Sequence, residues 1–284
     1  MAAPSSSSGL RGRRVLITGG ARGIGAALAR RLTDRGAQVA LAGLEPELLA
    51  ETAASVGAPH WSCDVTDRAR VAEVVDAAAE ALGGLDVVVA NAGVAAQLPL
   101  VGGDPEIFDR TLAVNIFGTY NTLRAAGPHL SHPGGYAVAI SSLGGVVHVP
   151  LMGAYSASKA AVEALGNTLR QELRPYGGRV GVAYFAELDT DMTSRGFATD
   201  AAKQLLGGRS ITKVTPLESG IRALEHGIEK RKRIIVAPWW VRPALSARMG
   251  IQPVVELVVR RDLRAALEIA RGEHVELTTP QPES

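Results

Sequence analysis

A tyrosine and a lysine four residues apart, in Tyr155-Ser156-Ala157-Ser158-Lys159, hold the clearest acid–base chemistry in this chain. At the start of an amphipathic segment that spacing sets both side chains on one helical face. A phenol with a pKa near ~10 is a poor base at neutral pH, but a neighbouring ammonium stabilises the phenolate, so the pair can exchange a proton. The same pattern equally fits a buried Tyr beside a Lys that snorkels to water. A second cluster, Thr18-Gly19-Gly20-Ala21-Arg22-Gly23-Ile24-Gly25, lies between an aliphatic run and an Ala- and Leu-rich segment. Glycines there permit a tight turn and let the N–H groups of a helix start approach a pyrophosphate. An empty Gly-rich loop has the same composition, but a strand before and a helix after favour a dinucleotide site. Inside the loop, the Arg22 guanidinium suits either a 2′-phosphate or plain solvent.

The elements that must position these groups follow a βα rhythm. Short aliphatic runs at Val15 to Thr18, Gln38 to Ala42, His60 to Cys63, Asp86 to Ala90, Tyr136 to Ser141, Arg179 to Phe185 and Ile234 to Val236 predict seven strands. Helices are expected to start near Gly23, Glu45, Asp67, Pro105, Gly153 and Pro216, several at residues that favour a helix start. The alternation predicts an α/β fold: a doubly wound, Rossmann-type parallel sheet with helices on both faces. The expected organisation is a disordered leader over 1–12, a nucleotide-binding domain over 13–237 and a partly helical appendage with a polar tail over 238–284.

Bulk properties narrow the partners. With 30 Lys and Arg against 28 Asp and Glu, a net charge of +2 gives no electrostatic case for nucleic acid, and a small-molecule substrate is expected. The single cysteine, Cys63, offers neither an internal disulfide nor a thiolate cluster, which predicts a metal-free site and a cytoplasmic location. The Ala2 to Ser8 run lacks the apolar stretch of a secretory signal, and the apolar runs are broken well before the ~20 residues that span a bilayer.

The glycine spacing, T-G-x-x-x-G-x-G, together with Ser142 thirteen residues before Tyr155, resembles the short-chain dehydrogenase/reductase family over roughly Arg13 to Pro238. The resemblance implies a hydride exchanged between NAD(P)(H) and a carbonyl or secondary alcohol. It implies Tyr155 as proton-transfer residue, Ser142 holding the substrate oxygen, Lys159 on the ribose hydroxyls and Asn115 on a water that extends the proton relay. Around the cofactor it implies Gly19, Ala21, Arg22, Gly23, Ile24 and Gly25 at the pyrophosphate. Asp64 and Val65 fall at the adenine, Asn91-Ala92-Gly93 along the adenosine pocket, and Thr190 at the carboxamide. Asp64 and Asn91 also suit purely local caps and turns. Alignment places Gly43 where an acidic residue would select NAD(H); with that carboxylate missing and Arg22 nearby, NADP(H) is expected over NAD(H). A homodimer or homotetramer built on the helices near Pro105 and Gly153 is also implied.

Some features depart from the family pattern. Phe185-Ala186 stands where the family carries Pro-Gly, although Thr190 and Met192 keep their places. Glu187 reads as a solvated loop carboxylate, residues 192–214 as a mobile lid with Gly196, Gly207 and Gly208, and His148, Val149, Leu151 and Met152 as the wall of a moderately apolar pocket. Residues 239–264 mix apolar side chains with five arginines; packing of the apolar side on the chain's own fold or on a partner subunit is favoured over contact with a membrane surface. Two alternatives remain: a non-catalytic NAD(P)-binding sensor, and a sugar-nucleotide epimerase, for which the 47 residues from 238 are too few to form a substrate domain.

Overall fold

The computed structural model describes residues 9–196, 199–207 and 212–281. Seven strands form one parallel sheet in the order β3-β2-β1-β4-β5-β6-β7: β1 Arg14–Thr18, β2 Gln38–Gly43, β3 His60–Ser62, β4 Val87–Ala90, β5 Tyr136–Ile140, β6 Arg179–Phe185 and β7 Ile234–Ala237. The central strands β4 and β5 are buried at every position. This is why their runs are continuously apolar and do not alternate: helices cover both faces. On one face Val15, Ile17, Val39 and Leu41 pack with α1 (Gly23–Asp34) and α9 (Leu217–Lys230). On the other, Leu16, Ala40 and Val88 meet α3 (Arg68–Leu82) and α5 (Gly118–Leu130). The strand order turns back between β1 and β4, and a crevice opens at the carboxyl ends of those strands.

Each expected strand and helix is present within a few residues of its predicted ends. The expected helices include α2 (Pro46–Val56), α4 (Pro105–Leu112) and α6 (Gly153–Leu173); further pieces are a π-helical segment over Ala113–Phe117, α7 (Asp191–Gly196), α8 (Asp200–Leu206), α10 (Val241–Val259) and α11 (Leu263–Gly272). No described helix is long and apolar enough to cross a membrane.

Both ends of the described chain pack on the sheet and its helices. Of the expected leader, Met1–Ser8 lies outside the described residues, but residues 9–12 form a turn that seats Leu10 in the core at 1% exposure, with Gly12 N–H donating to Gly36 O at 2.7 Å. Burying a leucine contributes roughly 1.5–3 kcal/mol toward the cost of ordering so short a segment. At the other end, residues 238–281 are woven into the domain. In α11, Ala266 and Ala270 are buried against Leu205 and Ala201 of α8, and Glu273 accepts from the Asp200 and Ala201 N–H groups at the start of α8. Helix α8 is therefore held from outside by the C-terminal segment, at its first turn and along its side. Gly196 ends α7 and Gly207 caps α8 with φ +59°, while Gly208 lies outside the described residues.

Candidate active site

The glycine loop leaves β1 and enters α1 across the mouth of the crevice. Gly19 has φ +66°, and a Cβ there would sit 2.8 Å from Ala92 Cα; one on Gly25 would collide with Gly19 O. Glycine is required at both positions for this close approach. Asn91, at the end of β4, donates from Nδ2 to Thr18 O at 3.0 Å and to Gly19 O at 3.1 Å, so its side chain fastens the loop to the neighbouring strand. Ala21, Arg22, Gly23 and Ile24 line the same cleft as Asp64, Val65, Ala92, Gly93 and Val114. A narrow loop packed close by Gly19 and Gly25, set at the start of a helix, fits the pyrophosphate of a dinucleotide.

The polar groups at the cleft floor come from three elements. Ser142 ends β5; its Oγ accepts from Gly144 N–H at 3.1 Å, donates to Phe185 O at 3.3 Å and hydrogen-bonds Tyr155. Tyr155 and Lys159 begin α6, 6% and 4% exposed, with Lys159 Nζ 5.6 Å from the centre of the Tyr155 ring. Burial pushes the Tyr155 hydroxyl upward, opposed by its hydrogen bond to Ser142. The lowering expected from the adjacent ammonium is not what dominates: Lys159 is itself desolvated, brought down to about 8, and donates to Ile140 O at 3.0 Å. A buried phenol in this state is protonated at neutral pH.

Asn115 is fully buried in the π-helical segment. Its Oδ1 accepts from Val94 N–H at 2.8 Å, and its Nδ2 donates to Val94 O at 2.9 Å and to Ser158 Oγ at 2.9 Å. A Cβ on Gly93 would lie 3.1 Å from Asn115 Oδ1 and 3.4 Å from Lys159 Nζ, so Asn115, Gly93 and Lys159 share one small volume. Such local widening of a helix is a common device at functional sites.

At the adenosine end, Asp64 Oδ1 accepts from Thr66 N–H and Oγ, and Oδ2 pairs with Arg110 at 2.7 Å. Burial raises its pKa, but those hydrogen bonds and the guanidinium outweigh it, and the carboxyl stays below its ordinary value. The helix cap that Asp64 could have supplied is made by Asp67. Thr190 faces the cleft beside α7, and its Oγ shares hydrogen bonds with Leu188 O and Thr193 Oγ, both at 3.4 Å.

Three expectations need correction. Arg22 lines the cleft but is not simply solvated: its guanidinium pairs with Glu45 at 2.9 Å and approaches Asp191 at 3.7 Å. Glu187 is a ligand of the chain itself, accepting from Thr212 N–H at 3.2 Å, while Thr215 N–H donates to its main-chain oxygen at 2.8 Å. That carboxylate ties the end of β6 to residue 212. Of the expected pocket wall, Val149 and Met152 line the cleft, whereas Leu151 packs on Ala201 and Ala270, and His148 is exposed with its main chain bonded to Gln252. Phe185, in place of the family proline, extends β6 alongside Ala237 and is buried.

The largest surprise is the C-terminal tail. Thr278, Thr279 and Gln281 line the cleft. Thr278 is buried, accepts from Ala95 N–H on its Oγ at 3.1 Å and donates its own N–H to Ala95 O at 3.2 Å; Gln281 accepts from Arg110, the partner of Asp64, at 2.9 Å. Nothing local in Thr278-Thr279-Pro280-Gln281 signals this return; its polar residues are those of an ordinary exposed tail.

A pyrophosphate cradle and a Ser–Tyr–Lys cluster on one Rossmann-type crevice define a dinucleotide-dependent oxidoreductase. A family model for short chain dehydrogenases matches residues 13–201. The chain is 34% identical over 195 residues to the L-2,3-butanediol dehydrogenase of Corynebacterium glutamicum, covering 63% of this chain and 76% of that one. It is 35% identical over 195 residues to a sorbose reductase of Schizosaccharomyces pombe, covering 65% and 76%. A solved short-chain dehydrogenase/reductase from Burkholderia phymatum in complex with NAD superimposes with a TM-score of 0.74 at 26% identity, over 86% of this chain and 95% of that one. The protein belongs to the short-chain dehydrogenase/reductase family and is an NAD(P)-dependent oxidoreductase.

Proposed function

We propose that the protein interconverts a small, moderately apolar ketone and its secondary alcohol, with Tyr155 as proton donor in reduction and acceptor in oxidation. The observation that carries this reading is the convergence of Ser142, Tyr155 and Lys159 in one cleft with the glycine cradle. A bound nicotinamide supplies or receives the hydride. Ser142 Oγ, already hydrogen-bonded to Tyr155, holds the substrate oxygen, and the protonated phenol delivers its proton there. Lys159 orients the ribose from the end of β5, and Asn115 fixes the turn after β4 that closes this volume. Leu143, Val147, Val149, Met152 and Met192 supply an apolar wall that suits a substrate with few polar groups. The sensor reading leaves the acid–base cluster without a task.

For the cofactor, the pairing of Arg22 reverses the preference drawn from sequence. One guanidinium set against two carboxylates leaves net negative charge where a 2′-phosphate would sit, while Glu45 can accept from a 2′-hydroxyl. NAD(H) is the proposed cofactor. A homo-oligomer through the face of α4, α5 and α6 is supported by the exposure of Phe117 and Tyr120 there. Cys63 is buried and its thiol is pushed up to about 11, which suits a reducing cytoplasm.

The test is oxidation of NADH and NADPH against a panel of ketones, diketones, ketoses, quinones and steroids, with Tyr155→Phe as control. Turnover with an apolar ketone that disappears in the variant is the expected result. Turnover that survives Tyr155→Phe overturns the assignment.

A further inference from the structure

Helix α10 presents two unlike sides. One is held by the domain: Val241, Ala244 and Val259 are buried, Gln252 exchanges hydrogen bonds with the His148 main chain at 2.9 and 3.1 Å, and Arg248 reaches Glu163 at 3.4 Å. The other side carries Met249, Val254, Leu257 and Val258, 85%, 59%, 71% and 69% exposed. At about 100° per residue, Met249, Leu257, Val254 and Val258 fall at roughly 0°, 80°, 140° and 180° around the axis, one broad stripe over the half of the helix turned away from the domain. Trp239, 80% exposed, stands just before the helix. Four large apolar side chains in one stripe on a helix so firmly anchored require a covering surface.

The charges around the stripe say what that surface is. Arg242 flanks it at one end and Arg260 and Arg261 at the other, all exposed. The single acidic residue of α10, Glu256, is rotated about 100° from Leu257 and is bonded to Gln252 at 3.2 Å. A second copy of the same face is a poor match. A two-fold pair with antiparallel helices sets Arg242 against the partner copy's arginines, and a parallel pair sets each end against itself, with no carboxylate on the stripe to neutralise either. An apolar stripe with a tryptophan at one end and arginines at both is complementary to a bilayer interface carrying negative headgroups.

We propose that α10 docks the protein in plane on an anionic phospholipid surface, with Met249, Val254, Leu257 and Val258 entering the acyl boundary and Arg242, Arg260 and Arg261 on the headgroups. The proposal does not rest on the assignment of substrate or cofactor, since its readout is binding to lipid.

The experiment is flotation of the full chain with vesicles of phosphatidylcholine alone and with vesicles containing about one third phosphatidylglycerol. Leu257→Asp with Val258→Asp, and Arg260→Gln with Arg261→Gln, are compared under the same conditions. These side chains are exposed, so both double variants are expected to fold, checked by unchanged circular dichroism and thermal unfolding. The expected result is flotation with the anionic vesicles only, lost at least about ten-fold in each double variant and weakened by salt. A chain that stays at the bottom with anionic vesicles overturns the proposal, as does equal flotation of the aspartate variant. Size-exclusion chromatography with light scattering covers the rival occupant: an oligomer that Leu257→Asp with Val258→Asp converts to monomers makes this stripe a subunit contact and also overturns it.

Discussion

Lys159 Nζ donates to the main-chain oxygen of Ile140 at 3.0 Å, so the ammonium is anchored on the end of β5, 5.6 Å from the centre of the Tyr155 ring. Burial has a cost that the fold carries at neutral pH, because the folded protein holds this charge with little water around it.

Lys159 titrates at about 8 in the folded protein against 10.5 ordinarily. Between those values the unfolded chain binds more protons than the folded one, so stability should rise as pH increases from 8 toward 10, by up to about 1.4 kcal/mol per pH unit. Below 8 both states carry the proton and this slope vanishes. Lys159→Met should remove the slope, raise stability at pH 7 and abolish turnover. Urea unfolding of both proteins across pH 7 to 9.5 measures it; identical slopes would mean that Lys159 is not desolvated in the folded protein.

Tyr155→Phe deletes the transferable proton and should lower turnover by about 10²–10⁴-fold, with NADH affinity changed less than about three-fold. Ser142→Ala should lower kcat in the same direction, because the hydroxyl that bonds Tyr155 and would hold the substrate oxygen is gone. Stopped-flow turnover and fluorescence titration of NADH separate chemistry from binding. A variant that loses binding and keeps kcat contradicts these roles.

Glu45→Gln removes one of the two carboxylates beside Arg22. NADPH affinity should rise about ten-fold, equivalent to about 1.4 kcal/mol, and NADH affinity should fall. Paired dissociation constants decide this, and tighter binding of NADPH than NADH by the parent protein would refute the proposed preference for NAD(H).

Thr278→Val keeps the side chain's size and deletes the oxygen that accepts from Ala95 N–H. Leaving that buried donor unpaired should cost about 1–3 kcal/mol of tail docking. Because Gln281 also reaches Arg110, and through it Asp64, loosening the tail should raise the KM for cofactor several-fold while leaving kcat nearly unchanged. Truncation after Glu276 should do the same more strongly. Steady-state kinetics in cofactor concentration provides the check, and an unaltered KM in the truncated protein would show that the tail is no part of the cofactor cleft.

By itself the sequence determined the seven-stranded α/β architecture, the glycine loop, and the placement of Ser142 and Tyr155-x-x-x-Lys159 at a strand end and a helix start. These features are written in contiguous runs, where apolar period and Gly, Asn or Pro positions act within a few residues. Tertiary structure alone decided which charges meet. Arg22 is neutralised by Glu45 and Asp191, Glu187 fastens residue 212, and Thr278 crosses 183 residues of sequence to pair with Ala95. It also decided that only one side of α10 is covered by the domain, leaving Leu257 and Val258 bare. A side chain's partner depends on which distant segments the packed core brings alongside it, and burial then fixes its charge state, as the depressed Lys159 shows.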